Sequence, residues 1–160
     1  MKRALAVVVM MCLWTGQALP NGKGFGVGVI IGEPTGISFK NWISNRHAID
    51  AAAAWSFSGD DEFQFHMDYL FHNYDLVHAE DMGGRLPVYF GVGGRAKFEE
   101  DSGRRHNDDT IVGVRLPLGI AYIASGPPLD FFVEIVPTLD VAPDTDFELN
   151  AGIGMRFYFR

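Results

Sequence analysis

The sequence has 160 residues, of which 48% are hydrophobic and 13% aromatic, and a formal net charge of −7. An acidic chain is a poor partner for the phosphate backbone of nucleic acid. A chain this rich in apolar and aromatic residues is not expected to be disordered. Its length fits one domain.

Residues 1–18 predict a cleaved signal peptide. Lys2 and Arg3 form a positive start, an uncharged apolar run of eleven residues follows, and small residues precede a cleavage site after Ala18. The run is shorter than the ~20 apolar residues of a transmembrane helix. Cleavage leaves 142 residues, 19–160, as one domain, and the loss of both basic residues takes the net charge from −7 to −9. An uncleaved anchor is the alternative.

The only cysteine, Cys12, lies inside this apolar run. Met11 before it is bulky where a lipoprotein signal requires a small residue, which argues against a lipid anchor. The mature chain then has no cysteine, and therefore no disulfide and no thiol chemistry.

After residue 22, apolar residues recur at every second position, and no segment keeps the spacing of an amphipathic helix. The pattern predicts eight strands separated by turns rich in Gly, Pro and Asp. The strands are expected at about 23–32, 36–44, 47–57, 62–73, 84–97, 110–123, 129–141 and 146–159. Segments of about ten residues suit strands that cross a bilayer at a tilt.

The two faces of each predicted strand differ in kind. In the last strand one face holds Phe147, Leu149, Ala151, Ile153, Met155, Phe157 and Phe159, and the other holds Glu148, Asn150, Gly152, Gly154, Arg156 and Tyr158. A water-soluble barrel turns its large apolar side chains inward. A barrel in a bilayer turns them toward lipid and keeps polar residues in the lumen. The face rich in glycine and charged residues has few side chains that could fill a dry core, so it suits a polar lumen. The sequence therefore predicts an all-β, eight-stranded antiparallel up-and-down transmembrane barrel.

The same alternation places ten charged side chains in the lumen. Five are cationic, Lys40, Arg95, Lys97, Arg115 and Arg156, and five are anionic, Asp50, Asp68, Glu134, Asp140 and Glu148. Such balance is expected because an unpaired buried charge costs several kcal/mol. The predicted luminal charge network consists of Lys40, Asp50, His66, Asp68, Arg95, Arg115, Glu134, Glu148 and Arg156.

His66, Asp68 and His72 share one face of the fourth predicted strand. Successive side chains on one face are ~7 Å apart, too far for neighbours to share a metal ion unaided. We expect luminal hydrogen bonding here rather than a metal site.

One luminal ion pair is predicted specifically. A turn centred near Asp144 places Glu134 opposite Gly154, with Arg156 on the diagonal. We expect Glu134 and Arg156 to form a charge-assisted hydrogen bond that closes the lumen, with Arg115 as the competing cation.

Three prolines fall within predicted strands, where proline cannot donate to the ladder. Pro87 and Pro137 are expected near strand ends. Pro117 lies well inside its strand, so a bulge or a broken ladder is expected there.

The chain ends in alternating aromatic residues and resembles the C-terminal strand signal of outer-membrane barrels. Gly154, Phe157 and Phe159 match it, whereas Arg160 departs from it because the aromatic residue is usually last. The mature chain resembles the small eight-stranded barrels grouped with the OmpA membrane domain and OmpX, many of them uncharacterised; residues 85–93 and 128–134 add to the resemblance. It implies a bacterial outer-membrane location and suggests no activity. We expect a monomer.

Small barrels include lipid A-modifying enzymes, but this sequence lacks the His-x-Ser pair of the PagL-type deacylase. Asp101 and Ser102 match only a dipeptide of the PagP palmitoyltransferase. The glycine-rich stretches at 24–28 and 91–94 open no helix and so form no phosphate loop. We expect no enzyme and no cofactor, and instead a structural or surface-interaction role. The alternatives are a soluble periplasmic lipocalin-like binding barrel and a lipid A-modifying enzyme.

The loops at 33–35, 58–61, 98–109 and 142–145 are expected to face the cell exterior. Three of them carry clustered acids, namely Asp60, Asp61, Glu62, Glu99, Glu100, Asp101, Asp108, Asp109, Asp144 and Asp146. Solvated loops explain such runs. The alternative is binding to lipopolysaccharide through bridging divalent cations, which prefer oxygen ligands.

Overall fold

The structure, a computed structural model, describes residues 24–33, 35–56, 62–77, 83–99 and 109–159. Its ten strands are β1 (Phe25–Gly32), β2 (Thr35–Trp42), β3 (His47–Ser56), β4 (Glu62–Asn73), β5 (Gly84–Arg85), β6 (Val88–Glu99), β7 (Asp109–Arg115), β8 (Leu118–Ala124), β9 (Leu129–Ala142) and β10 (Asp146–Tyr158). In these ranges no helix has the length and apolar character needed to cross a membrane.

The strands form one closed antiparallel ring. Pairing runs from β10 through β1, β2, β3, β4, β6 and β7 to β9, and β9 pairs with β10 to close it. The short strand β5 leads into β6, and β8 continues β7, so the ring has eight paths. The predicted all-β, eight-stranded antiparallel barrel is confirmed, with two predicted strands each divided into two segments.

Paired residues followed once round the ring show how steeply the strands slant. The path starts at Arg156 and passes through Gly28, Ser38, Ala52, His66, Arg95, Gly113 and Asp140. It returns to β10 at Asp146, ten residues from its start. An eight-stranded ring with a large stagger has strongly tilted strands and an interior just wide enough for side chains to fill.

Two prolines divide the predicted strands without changing the register. Pro87 lies between β5 and β6, and Pro117 lies between β7 and β8. At Pro117 the ladder is broken, which is one of the two outcomes predicted there. The bulge-like register shift of this path lies elsewhere, between Val112 and Gly113 in the pairing of β7 with β9. Pro137 lies inside β9, so its expected place near a strand end is wrong.

The prolines act as acceptors in the ladder. The backbone N–H groups of Gly91, Leu116 and Ala121 donate to the carbonyls of Pro117, Pro137 and Pro87, at 2.9, 2.9 and 3.0 Å. Facing residues in such antiparallel pairs normally exchange two hydrogen bonds. Proline has no N–H to return the second one. Each of these three residue pairs, which lie on the paths from β6 to β9, therefore has one backbone hydrogen bond where two are usual.

Alternation along the strands separates two unlike faces. Val29, Phe131 and Ile153 point outward and are 48%, 45% and 57% exposed. Large apolar side chains on every other path of the ring are exposed as well. Charged and small residues point inward together with a smaller set of aromatic and aliphatic residues; Arg115, Arg156 and Phe132, for example, are fully buried. The large apolar residues thus cover the outside of the barrel.

Candidate functional site in the barrel lumen

All nine side chains of the predicted luminal charge network point into the barrel. Eight of them are buried: Lys40, Asp50, His66, Asp68, Arg95, Arg115, Glu134 and Arg156. Glu148 is half-buried, with 32% of its side chain exposed. The lumen is therefore the place in the molecule where polar chemistry is concentrated.

A loop-end cluster, formed by Arg95, Lys97, Asp140 and Glu148, lies near the ends of β6 and β9 and the start of β10. Arg95 donates from Nε and Nη2 to the two oxygens of Asp140, at 2.8 and 2.5 Å, and from Nη1 to Glu148 at 2.7 Å. Lys97 also donates to Glu148, at 3.3 Å. Bidentate pairing of this kind fixes both partners in orientation.

A second ion pair lies deeper in the lumen. Arg115 Nε lies 3.2 and 3.3 Å from the two oxygens of Asp68. His66 Nδ1 lies 3.4 Å from the amide nitrogen of Gln64. Within the described ranges, no group of three or more His, Cys, Asp or Glu side chains is arranged to hold a metal ion.

A terminus-end cluster, formed by Lys40, Asp50, Asp130 and Arg156, lies toward the end of the barrel where the chain enters and leaves. Arg156 donates from Nη2 to Asp50 and from Nε to Ser38 at 2.9 Å, and its Nη1 lies 3.8 Å from Asp130. The Lys40 ammonium lies 3.9 Å from the same Asp130 carboxylate. Two cations and two carboxylates thus balance one another.

Aromatic side chains close the lumen at this end. Lys40 Nζ lies 2.9 Å from His72 Nε2 and 4.7 Å from the centre of the Trp42 ring, which itself contacts His72 at 4.4 Å between centroids. The Tyr158 hydroxyl donates to Asp130 at 2.6 Å. The sequence analysis already placed His72 and Tyr158 on the inward face, whereas it did not single out Trp42, which shares the parity of Lys40 on β2.

An apolar layer lies beside the terminus-end cluster. It is formed by the buried side chains of Ile30, Leu70, Tyr89, Ala121 and Phe132. The guanidinium of Arg156 lies over the Phe132 ring, 3.8 Å from its centre. The lumen is therefore packed with side chains of both kinds.

The predicted Glu134–Arg156 hydrogen bond is wrong. Glu134 accepts a hydrogen bond from the Tyr89 hydroxyl at 2.7 Å, and Arg156 engages Asp50 and Ser38 instead. The reason is register: Glu134 lies opposite Gly152 and Arg156 opposite Asp130, because the β9–β10 connection is centred on residue 143 and not on Asp144.

Sequence reasoning missed Asp130, which is fully buried and belongs to the terminus-end cluster. It shares the parity of Glu134 on the same strand, so the alternation that found Glu134 also identifies Asp130. Several acids of the predicted outer loops lie outside the described residues, namely Asp60, Asp61, Glu100, Asp101 and Asp108.

The fold and its two faces define a small closed antiparallel barrel with a polar, packed interior. The chain belongs to the family described as "Protein of unknown function (DUF3996)", whose profile matches residues 18–159. No curated protein matches the sequence. Among solved structures, the chain is similar to the N-terminal β-barrel domain of Pseudomonas aeruginosa OprF, with a TM-score of 0.60 and 12% identity, over 84% of this chain and 95% of that one. This similarity supports the β-barrel fold.

Proposed function

We propose that the protein is a bacterial outer-membrane barrel with a structural or surface-interaction role, exported by a cleaved signal peptide. The observation that carries the proposal is the distribution of side chains across the sheet. Large apolar residues cover the outside and ion pairs fill the inside. This is the arrangement a bilayer requires of a closed barrel.

Aromatic contacts on the outer face support this location. Toward the loop end, Phe63 packs between Trp55 and Phe98, at centroid distances of 5.7 and 6.3 Å. Toward the opposite end, Phe71 packs against Phe90, at 5.2 Å. Aromatic girdles at both edges of the apolar band are typical of membrane barrels.

The packed lumen supports a role that does not depend on a continuous pore. Arg115, Arg156, Tyr89 and Phe132 are among the largest fully buried side chains, and each points into the interior. We expect the folded protein to form no stable ion-conducting channel in planar bilayers.

The soluble lipocalin-like alternative requires the Phe, Val and Leu face to surround a ligand. Val29, Phe131 and Ile153 point outward instead, so no observation favours that alternative. The expectation that the protein is not an enzyme stays a prediction. Mass spectrometry of lipid A after incubation with the protein tests it, and a change in acylation would contradict it.

We further propose that outer-membrane lipid is the partner of the apolar surface, and that the acidic outer loops bind divalent cations bridged to lipopolysaccharide. Hard oxygen ligands suit such cations. A variant with Asp60, Asp61, Glu99, Glu100, Asp108 and Asp109 changed to their amides should bind lipopolysaccharide with weaker calcium dependence. An unchanged dependence leaves the loops as solvated acids only.

Cell fractionation combined with gel migration tests the membrane proposal. We expect recovery in the outer-membrane fraction and heat-modifiable migration, because a closed barrel resists unfolding by detergent until it is boiled. Recovery as a soluble monomer without detergent would overturn the proposal.

A further inference from the structure

Among the described residues, three arginines are buried in the lumen, and two of them each meet two carboxylates. Arg95 binds Asp140 through two nitrogens and Glu148 through the third. Arg156 binds Asp50 and lies 3.8 Å from Asp130. A guanidinium with five N–H donors can hold two anions in this way.

Arg115 is the exception. Only its Nε has a hydrogen-bond partner among the described residues, the carboxylate of Asp68. Its Nη1 is buried and has no partner there. Arg156 Nη1 also lacks a hydrogen-bond partner there, but both other nitrogens of Arg156 are paired, whereas Nε is the one paired nitrogen of Arg115. A buried charged donor left without a partner is costly. A native structure that keeps one calls for a bound water or ion.

Asn150 provides a second unpartnered donor in the same part of the lumen. The residue is 8% exposed, and its Nδ2 has no partner among the described residues. On the intervening strand β9, Arg115 faces Thr138 and Asn150 faces Val136, one inward step apart. Both side chains therefore project into one section of the barrel.

Most of the chain's own luminal acids are already engaged; the exception is Oδ1 of Asp130, which has no hydrogen-bond partner among the described residues and lies in the terminus-end cluster with Lys40 and Arg156. Glu134 is the one carboxylate among the described luminal residues without a lysine or arginine partner, and the Tyr89 hydroxyl holds it at 2.7 Å. Asp140 and Glu148 are bound by Arg95 and Lys97. A second anion for Arg115 would therefore come from a ligand, and a water molecule is the other group that would serve its unpartnered Nη1.

We propose that Arg115 and Asn150 form a luminal binding site for a small carboxylate-type oxyanion. The planar guanidinium offers N–H groups in the fork that matches a carboxylate, and the Asn150 amide supplies a further donor. An eight-stranded lumen shared with side chains limits the ligand to the size of formate or acetate. Arg95, with its two carboxylates, shows that this interior accommodates a second anion on one guanidinium.

Titration of the folded protein in detergent micelles with sodium acetate, against sodium chloride at constant ionic strength, tests the site. The readouts are the urea midpoint of unfolding and the NMR signal of the Arg115 Nε–H group. We expect saturable changes in both with acetate. Arg115→Lys keeps the charge but loses the fork, and should weaken the apparent affinity by about tenfold or more. Asn150→Ala should weaken it less.

Arg46→Lys is the matched control, because Arg46 lies in an exposed pair with Asp75 at 3.1 Å. It should titrate like the wild type. If Arg115→Lys does not fold, Asn150→Ala and the Arg115 signal of the wild type decide the outcome. An absence of saturable response in the wild type means that water alone serves these donors, and overturns the proposal. Equal acetate affinity in the wild type and the folded site variants overturns it as well.

Discussion

The outward and inward faces of the same strands are made from different residues and are held by different forces. On β10, Phe157 and Met155 point outward and are 45% and 41% exposed, whereas Arg156 between them is buried among Asp50, Ser38 and Asp130. The outer face needs only apolar surface of roughly the right size. The inner face needs particular partners at particular depths. We therefore expect the outer face to tolerate the exchange of one apolar residue for another, and the inner face to tolerate few substitutions of any kind.

The largest effect is expected inside. Arg156→Met should lower the free energy of unfolding by about 3–5 kcal/mol, because it leaves the Asp50 carboxylate buried without its cation. Urea unfolding in vesicles, followed by gel migration, measures the change. Phe157→Met, one residue along on the outer face, is the control and should cost far less. Equal costs for the two variants would contradict the difference between the faces.

A charge on the outer face should have the next largest effect. Ile153 lies in the middle of the apolar band on β10 and is 57% exposed. Ile153→Lys should destabilise the barrel in vesicles by roughly 2–4 kcal/mol, the cost of lysine near the bilayer midplane. Ile153→Val should be nearly neutral. If the lysine variant is as stable as the wild type in lipid, the assignment of this face to lipid is wrong.

Adding side-chain volume should also destabilise the inner face more than the outer face, but by less than the two charge substitutions above. A Cβ atom at Gly154 would lie 2.3 Å from the Phe132 ring, inside the lumen. Gly154→Ala should therefore cost about 1–3 kcal/mol through crowding. Ala151→Val, on the outer face of the same strand, adds volume outside the barrel and should be tolerated. Urea midpoints of unfolding measure both effects, and an equal decrease in the two variants would contradict the difference between the faces.

The smallest effect is a coupling expected to be close to zero. A double-mutant cycle on Glu134 and Arg156 should show little interaction, since the two side chains bind different partners. The matched cycle on Asp50 and Arg156 should show a clear coupling, as contacting charged residues do. A large coupling between Glu134 and Arg156 would favour the register predicted from the sequence over the one observed.

The sequence was enough to predict which face of each strand is inside. A two-residue period assigns every side chain to a face once a strand is located, so Lys40, Arg95 and Arg156 could all be placed in the lumen in advance. The same rule places Asp130 in the lumen, because it lies within the predicted strand 129–141 and shares the parity of Glu134.

Pairing across the lumen could not be predicted in this way. Asp50 and Arg156 are 106 residues apart, and their contact depends on the ten-residue offset round the ring. A turn misplaced by one residue moves every pair in a hairpin by two, which is why Glu134 was matched to Gly154 and not to Gly152. The effect of each proline was predictable only in part. The break at Pro117 was expected, whereas Pro137 lies inside β9 without dividing it, because proline removes a hydrogen bond of a strand but leaves its alternation intact.

The central claim is that the outer face lies in lipid while the inner face does not, and two tryptophans report on it directly. Trp42 points inward and is 5% exposed, whereas Trp55 points outward and is 44% exposed. In a chain without residues 1–18, which also removes Trp14, these are the only tryptophans. Fluorescence quenching by lipids brominated near the headgroup should therefore be strong in Trp42→Phe, which retains Trp55, and weak in Trp55→Phe, which retains Trp42. Equal quenching of the two variants, or stronger quenching of Trp42, would contradict the account.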